Sequence, residues 1–271
     1  MINDTKKLEN LFLSLGYTKE DYQKIITTYP INNLKEETLI KKVNEVYNYL
    51  SEMYTKEEVI KMTKSMPAIY GYSIENIKQK IEDMINLGYT KEEVIKMTKS
   101  MPTIYNLSIE NVKQKIEDIV SLGYSKEEII KMTKRLPQIY SYSIENMKQK
   151  IEDIISLGYS KEEVIKMTKS MPQIYSLSIE NMKQKIDFYD SIYMHQLAII
   201  DSKQLMQSVA LTFSRYMFYL SKGITIDMSN YKKLYMNNKQ FEKQYNITKK
   251  ELLEKYNYEE YLKEKENGRT I

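Results

Sequence analysis

Lys64, Lys99, Lys134 and Lys169 recur at intervals of 35 residues, each three places ahead of a proline, and Arg135 stands beside the third of them. Directly after those prolines come Ala68, Thr103, Gln138 and Gln173. Cations held at a fixed spacing can neutralise successive phosphates, while a hydroxyl or an amide can reach the edge of a base, glutamine suiting adenine. Two further places differ from copy to copy: Gly71, Asn106, Ser141 and Ser176, then Tyr72, Leu107, Tyr142 and Leu177. Variation confined to fixed positions is how an array would read a varied ligand, and neutral drift after recent duplication leaves the same pattern. The lysines also have a second reading. A cation in the last turn of a helix answers the negative end of its dipole and solvates the surface whatever the chain does.

Other chemistry is poorly supplied. The single histidine, His195, lies in an amphipathic stretch, where a surface or packed role outweighs that of a base or ligand. The absence of cysteine removes thiolate nucleophiles, disulfides and cysteine-based zinc sites. No Gly-rich phosphate loop, zinc-protease motif or nucleophile elbow occurs. Paired carboxylates such as Glu92 and Glu93 recur, but at a helix N-terminus, where the dipole accounts for them. The expectation is a binding protein with no catalytic residues, no metal and no cofactor.

The elements that position these residues follow from the repeat. Tyr54, Tyr89, Tyr124 and Tyr159 each open a stretch of the form Tyr-(Thr/Ser)-Lys-Glu-Glu-(Val/Ile)-Ile-Lys-Met-Thr-Lys. A period in this range marks stacked supersecondary units that cannot bury their apolar faces alone. In the unit starting at Tyr89, Thr90 and Glu93 form a capping box before a helix whose inward stripe is Val94, Met97, Thr98 and Met101. Pro102 lacks an amide hydrogen and forces Met101 out of the helical region, so the helix stops there and a short one opens at Pro102–Tyr105. Ser108 then caps a third helix with the apolar face Ile109, Val112, Ile116, Ile119 and Val120, and Gly123 closes it in left-handed geometry. Tyr70, Tyr105, Tyr140 and Tyr175 are read as core or inter-repeat packing more readily than as base-stacking residues.

Partition of the chain follows the same signals. Residues 1–51 hold a degenerate first repeat with Leu15-Gly16-Tyr17-Thr18 and Pro30, residues 52–191 the four near-identical repeats, and residues 192–271 a divergent helical region where the period vanishes from His195 onward. Thr248 and Glu251 predict a late capped helix. The net charge of +4 lies wholly after residue 194, and Lys222, Lys232, Lys233, Lys239, Lys243, Lys249 and Lys250 form the densest basic run. That run reads equally as a solvated terminal region and as a phosphate-contacting end. The N-terminal residues carry no apolar leader, and no apolar stretch is long enough to span a bilayer, so a cytoplasmic location without membrane association is expected.

The run from Leu157 to Ile186, with Leu-Gly-Tyr-Ser-Lys-Glu-Glu-Val-Ile-Lys-Met, Pro-Gln-Ile-Tyr-Ser and Ser-Ile-Glu-Asn-Met-Lys-Gln-Lys-Ile, resembles the repeat of the mitochondrial transcription termination factor (mTERF) family. The segment from Ser214 to Gly223 is similar to that family's C-terminal Arg-Tyr…Leu…Gly element. The resemblance implies an all-α, curved solenoid of about five three-helix repeats with a helical C-terminal cap, in a divergent or prokaryotic-looking member. It further implies a monomer whose groove holds nucleic acid, duplex DNA ahead of RNA, in transcription regulation or termination. The family's arginine two residues before the proline falls on Ser65, Ser100, Arg135 and Ser170, only one of them basic here. The residues expected to touch nucleic acid are Lys64, Lys99, Lys134, Arg135, Lys169, Thr103, Gln138, Gln173, Arg215 and Lys222. The rival expectation is a protein-binding scaffold of the same fold, favoured by the net neutrality of the repeats.

Overall fold

The computed structural model describes residues 5–28 and 30–266, so the N-terminal segment 1–4 and Arg269 lie outside the described residues. Every regular element among them is helical. The chain packs as two compact units divided between Tyr142 and Ser143.

In the first unit, α1 (Thr5–Leu15) precedes a degenerate repeat made of α2 (Lys19–Ile26), a 3-10 turn (Ile31–Asn33) and α3 (Glu36–Ser51). Next come α4 (Lys56–Ser65), the turn Pro67–Gly71 and α5 (Ile74–Asn86), then α6 (Lys91–Ser100), Pro102–Asn106 and α7 (Ile109–Ser121), and finally α8 (Lys126–Arg135) with its turn Pro137–Ser141. The second unit opens with α9 (Ile144–Ser156) and repeats the pattern in α10 (Lys161–Ser170), Pro172–Ser176 and α11 (Ile179–Ser191). After α12 (Leu197–Ile200), the turn Ser202–Met206 and α13 (Val209–Ser221) come the turn Tyr231–Tyr235, α14 (Asn238–Tyr245), α15 (Lys249–Lys255) and α16 (Tyr258–Glu266).

Local signals act as the sequence predicts. Both halves of the capping box form at Thr90 and Glu93, and at the equivalent pairs opening α4, α8, α10 and α15. Met101, pressed by Pro102, sits at φ −140° and ψ 78°, and the chain re-enters as a 3-10 turn with the proline first. Gly88, Gly123 and Gly158 end their helices at φ between 99° and 114°, a region that any Cβ would disfavour.

The core of the middle repeat is Val94, Met97, Met101, Ile104, Val112, Ile116 and Ile119, all buried. Val120 departs from the expected face and is 38% exposed. One residue on from Ile119, it is rotated about 100° away from the core direction. The period also persists past His195, where the sequence expects it to vanish. Asp201 adopts φ −141° and ψ 68°, nearly the geometry of Met171, and Ser208 caps α13 as Ser178 caps α11. This sixth unit has its first helix cut to four residues and lacks both the capping box and the proline.

Candidate functional site

Each seam between successive repeats in the first unit is closed by the same three hydroxyls. Thr98 donates to the Val94 carbonyl at 2.8 Å, so its oxygen is left to accept from Tyr54 at 2.6 Å. Tyr54 in turn receives Tyr105 at 3.1 Å. Tyr17, Thr63 and Tyr70 repeat this one-way chain at 2.7 and 2.6 Å, and Tyr89, Thr133 and Tyr140 at 2.5 Å for both contacts. Burial raises the pKa of Tyr70, Tyr89 and Tyr105, so these phenols stay neutral donors. The tyrosines are thus internal packing residues, as their fixed position suggests.

A second tie runs on the surface of the same seams. Lys64 pairs with Asp21 at 2.6 Å, Lys134 with Glu93 at 2.7 Å, and Lys99 with Glu58. The acids are the capping-box residues of the preceding repeat. Hydrogen bonds from Lys99 and Lys134, then from the N-cap backbone, hold Glu58 and Glu93 below the ordinary glutamate range. The lysines predicted to grip phosphates therefore already join neighbouring repeats. They remain reachable: Lys99 is half exposed, and an ammonium has three donors where one carboxylate uses one.

A third tie uses the lysine of the last helix in each repeat. Lys115 donates to the Tyr142 carbonyl at 2.7 Å and Lys150 to that of Leu177 at 2.6 Å, with Lys80 reaching Leu107 likewise. These carbonyls sit at one of the variable places. Another contact joins two variable places directly, because the Tyr72 hydroxyl donates to the Asn106 side chain. Part of the copy-to-copy variation thus sits in seams between repeats.

Of the remaining predicted residues, Thr103 is exposed and Gln138 and Gln173 half-buried in their 3-10 turns, all directly after a proline. Arg135 closes α8 at the surface and Lys169 lies half-buried near the end of α10. Lys222 is exposed just past α13, its ammonium 5.8 Å from the centre of the Phe218 ring. Arg215 is inside the protein at 1% exposure. It donates to the Leu234 carbonyl at 2.9 Å and to Asn238 at 2.8 Å, and stacks over Phe241 at 4.8 Å, so it fixes the C-terminal helices and presents no cation to a groove. Sequence reasoning places it outside because arginine is rarely buried without an acid.

Lys61, Lys96 and Lys131 lie one turn before the paired lysines, are exposed, and make no ion pair among the described residues. Their signal in sequence is their place: Lys96 falls about 200° round the helix from Val94, directly away from the core. Among the described residues no three or more carboxylate or imidazole side chains gather as a metal site, and no helix is long and apolar enough to cross a membrane. His195 stacks on Tyr159 at 4.5 Å and its Nδ1 lies 2.6 Å from Asp190, a packed and paired imidazole.

The mTERF family model matches residues 2–156 and again residues 151–242. No curated protein matches the chain.

Proposed function

The chain belongs to the mTERF family, a family of nucleic-acid-binding helical repeats, and from that premise we propose that it binds duplex DNA and acts in transcription regulation or termination. The observation that supports this most is the register of exposed cations along the first helices of the repeats. Lys61, Lys96 and Lys131 face outward without an acid partner among the described residues, and Lys99, Lys134 and Arg135 lie one turn on. Thr103 and Gln138 stand in the adjoining turns, and Gln173 in the corresponding turn of the second unit, where amides and hydroxyls could select among bases. RNA is the alternative ligand of the same surface.

A protein-binding scaffold is the second reading, favoured by the pairing of Lys64, Lys99 and Lys134 with acids, which lowers the field that would attract phosphates. Binding measurements on variants separate the two. Replacing Lys99, Arg135 and Lys169 together should weaken binding to every sequence and flatten its salt dependence by roughly one unit of slope per lost phosphate contact. Changing Gln138 or Gln173 should instead alter the preference among sequences. Unchanged affinity and slope in the triple variant would remove this surface from the interface.

A further inference from the structure

From α5 onward each repeat ends its last helix in a left-handed residue, and after α5, α7, α9 and α13 these are Gly88, Gly123, Gly158 and Gly223. At the end of α11 the residue is Tyr193, at φ 58°. The backbone bonds are those of the glycine turns: Tyr193 donates to the Asp190 carbonyl at 3.1 Å as Gly123 does to that of Val120 at 2.9 Å, and Met194 donates to Tyr189 at 2.7 Å. A Cβ in this region shifts the folding equilibrium unfavourably by roughly five- to thirtyfold per residue. Burial of the ring would offset that cost, but the side chain is 96% exposed, against 61% for Ile200, the next most exposed large apolar residue. Among the described residues the ring meets no other aromatic, cation or hydrogen-bond partner.

Strain held at an exposed position without a structural return points to function. Tyr193 stands at the rim of an open cleft of about 480 Å³, whose lining includes Ile192, Met194, Tyr216, Ile226 and Met228. We propose that Tyr193 is a stacking platform for an unpaired nucleobase, so that this corner takes single-stranded nucleic acid or a frayed strand end. The inference rests on the nucleic-acid reading of the family and adds a strand-state preference to it. Stacking of one base on an exposed aromatic is worth about 5- to 150-fold in affinity, enough to outweigh the left-handed backbone. The base is the group engaged here, because the charged side chain in the cleft lining is an acid, Asp227, which is tied up in its own turn with Ser229. A paired base inside a duplex offers no free face to the ring.

The chain has no tryptophan, so Tyr193→Trp places a single reporter at this site. Titrated with single-stranded oligonucleotides, its emission should be quenched, while a fully abasic strand of the same length should leave it unchanged. Tyr193→Gly should be at least as stable as the parent, because the strain is relieved, yet should bind single strands about 5- to 150-fold more weakly with the same salt slope. Binding by anisotropy without quenching, together with unaltered affinity in Tyr193→Gly, would overturn the stacking role and leave the family reading intact. Absence of any binding would overturn both. A concentration-dependent emission shift without nucleic acid would replace the base with a second copy of this chain.

Discussion

The seams of the regular repeats and the joins of the C-terminal region solve the same problem with different groups. Between α4 and α7 the polar work is done by small, neutral, fully satisfied hydroxyls inside and a lysine–glutamate pair outside. In the second unit, the lysine position that elsewhere reaches a turn carbonyl becomes Lys185, which is 1% exposed. It donates to Thr212 and lies 5.6 and 5.4 Å from the rings of Tyr189 and Tyr235. Thirty residues further on, Arg215 is buried in the same manner. A repeat in the middle of an array can share its charges with water, whereas the elements that close the end must enclose them. The regular seams should therefore fail gradually when altered, and the terminal ones abruptly.

Arg215→Ala is the harshest break. It leaves the Leu234 carbonyl with the Gln207 amide as its remaining donor, strips Asn238 of its partner and empties the space over Phe241, and should cost about 3–5 kcal/mol in denaturant melts. Thr98→Val keeps the shape of its seam and leaves the two tyrosines able to bond each other, so a loss of about 1–2 kcal/mol is expected from the same melts. Equal losses in these two variants would erase the distinction between the regions.

Lys185 sharpens the comparison through pH. Burial pushes its pKa well below the usual lysine value. The protonated form is thus disfavoured in the folded state, and the stability it withholds returns as pH rises toward the unfolded lysine value of about 10.4. Between neutrality and about pH 9.5, below the tyrosine range, stability should rise, and Lys185→Met should abolish that rise. The groups that face this site are the phenols of Tyr189 and Tyr235, both acted on by Asp201 beside α12; their pKa values are raised and they stay neutral over that window. A rise that survives in Lys185→Met would assign it elsewhere.

The smallest effect belongs to the surface tie. Lys134→Gln should leave neutral-pH stability almost unchanged, since pairs this exposed contribute little. Glu93 is held below the glutamate range, so its contribution is present above about pH 4.3 and is lost as pH falls through the lowered value. The variant should lose part of that acid-side dependence, which pH titration of the melts would reveal.

Much of this architecture is legible in sequence because its signals are local. A threonine three residues before a glutamate, a proline and a glycine each dictate backbone geometry within a few residues, and the structure obeys all of them. The sixth unit is hidden because α12 keeps neither capping box nor proline, so only its backbone angles betray it. The partners of Lys99 and Lys134 are hidden for another reason: each acid stands 41 residues away, brought close only by stacking. Arg215 misleads because residue type argues for the surface, while the aromatic surroundings that enclose it come from α13 and α14 together.

The central claim, that this array is a nucleic-acid binder, is tested most directly by anisotropy titrations of the full chain against duplex DNA, duplex RNA and single strands over a range of salt concentrations. Measurable binding is expected at low salt, its logarithm falling linearly with that of the salt by about 0.9 per duplex phosphate engaged. Correctly folded protein that binds none of these ligands at low salt would contradict it and favour the scaffold reading in its place.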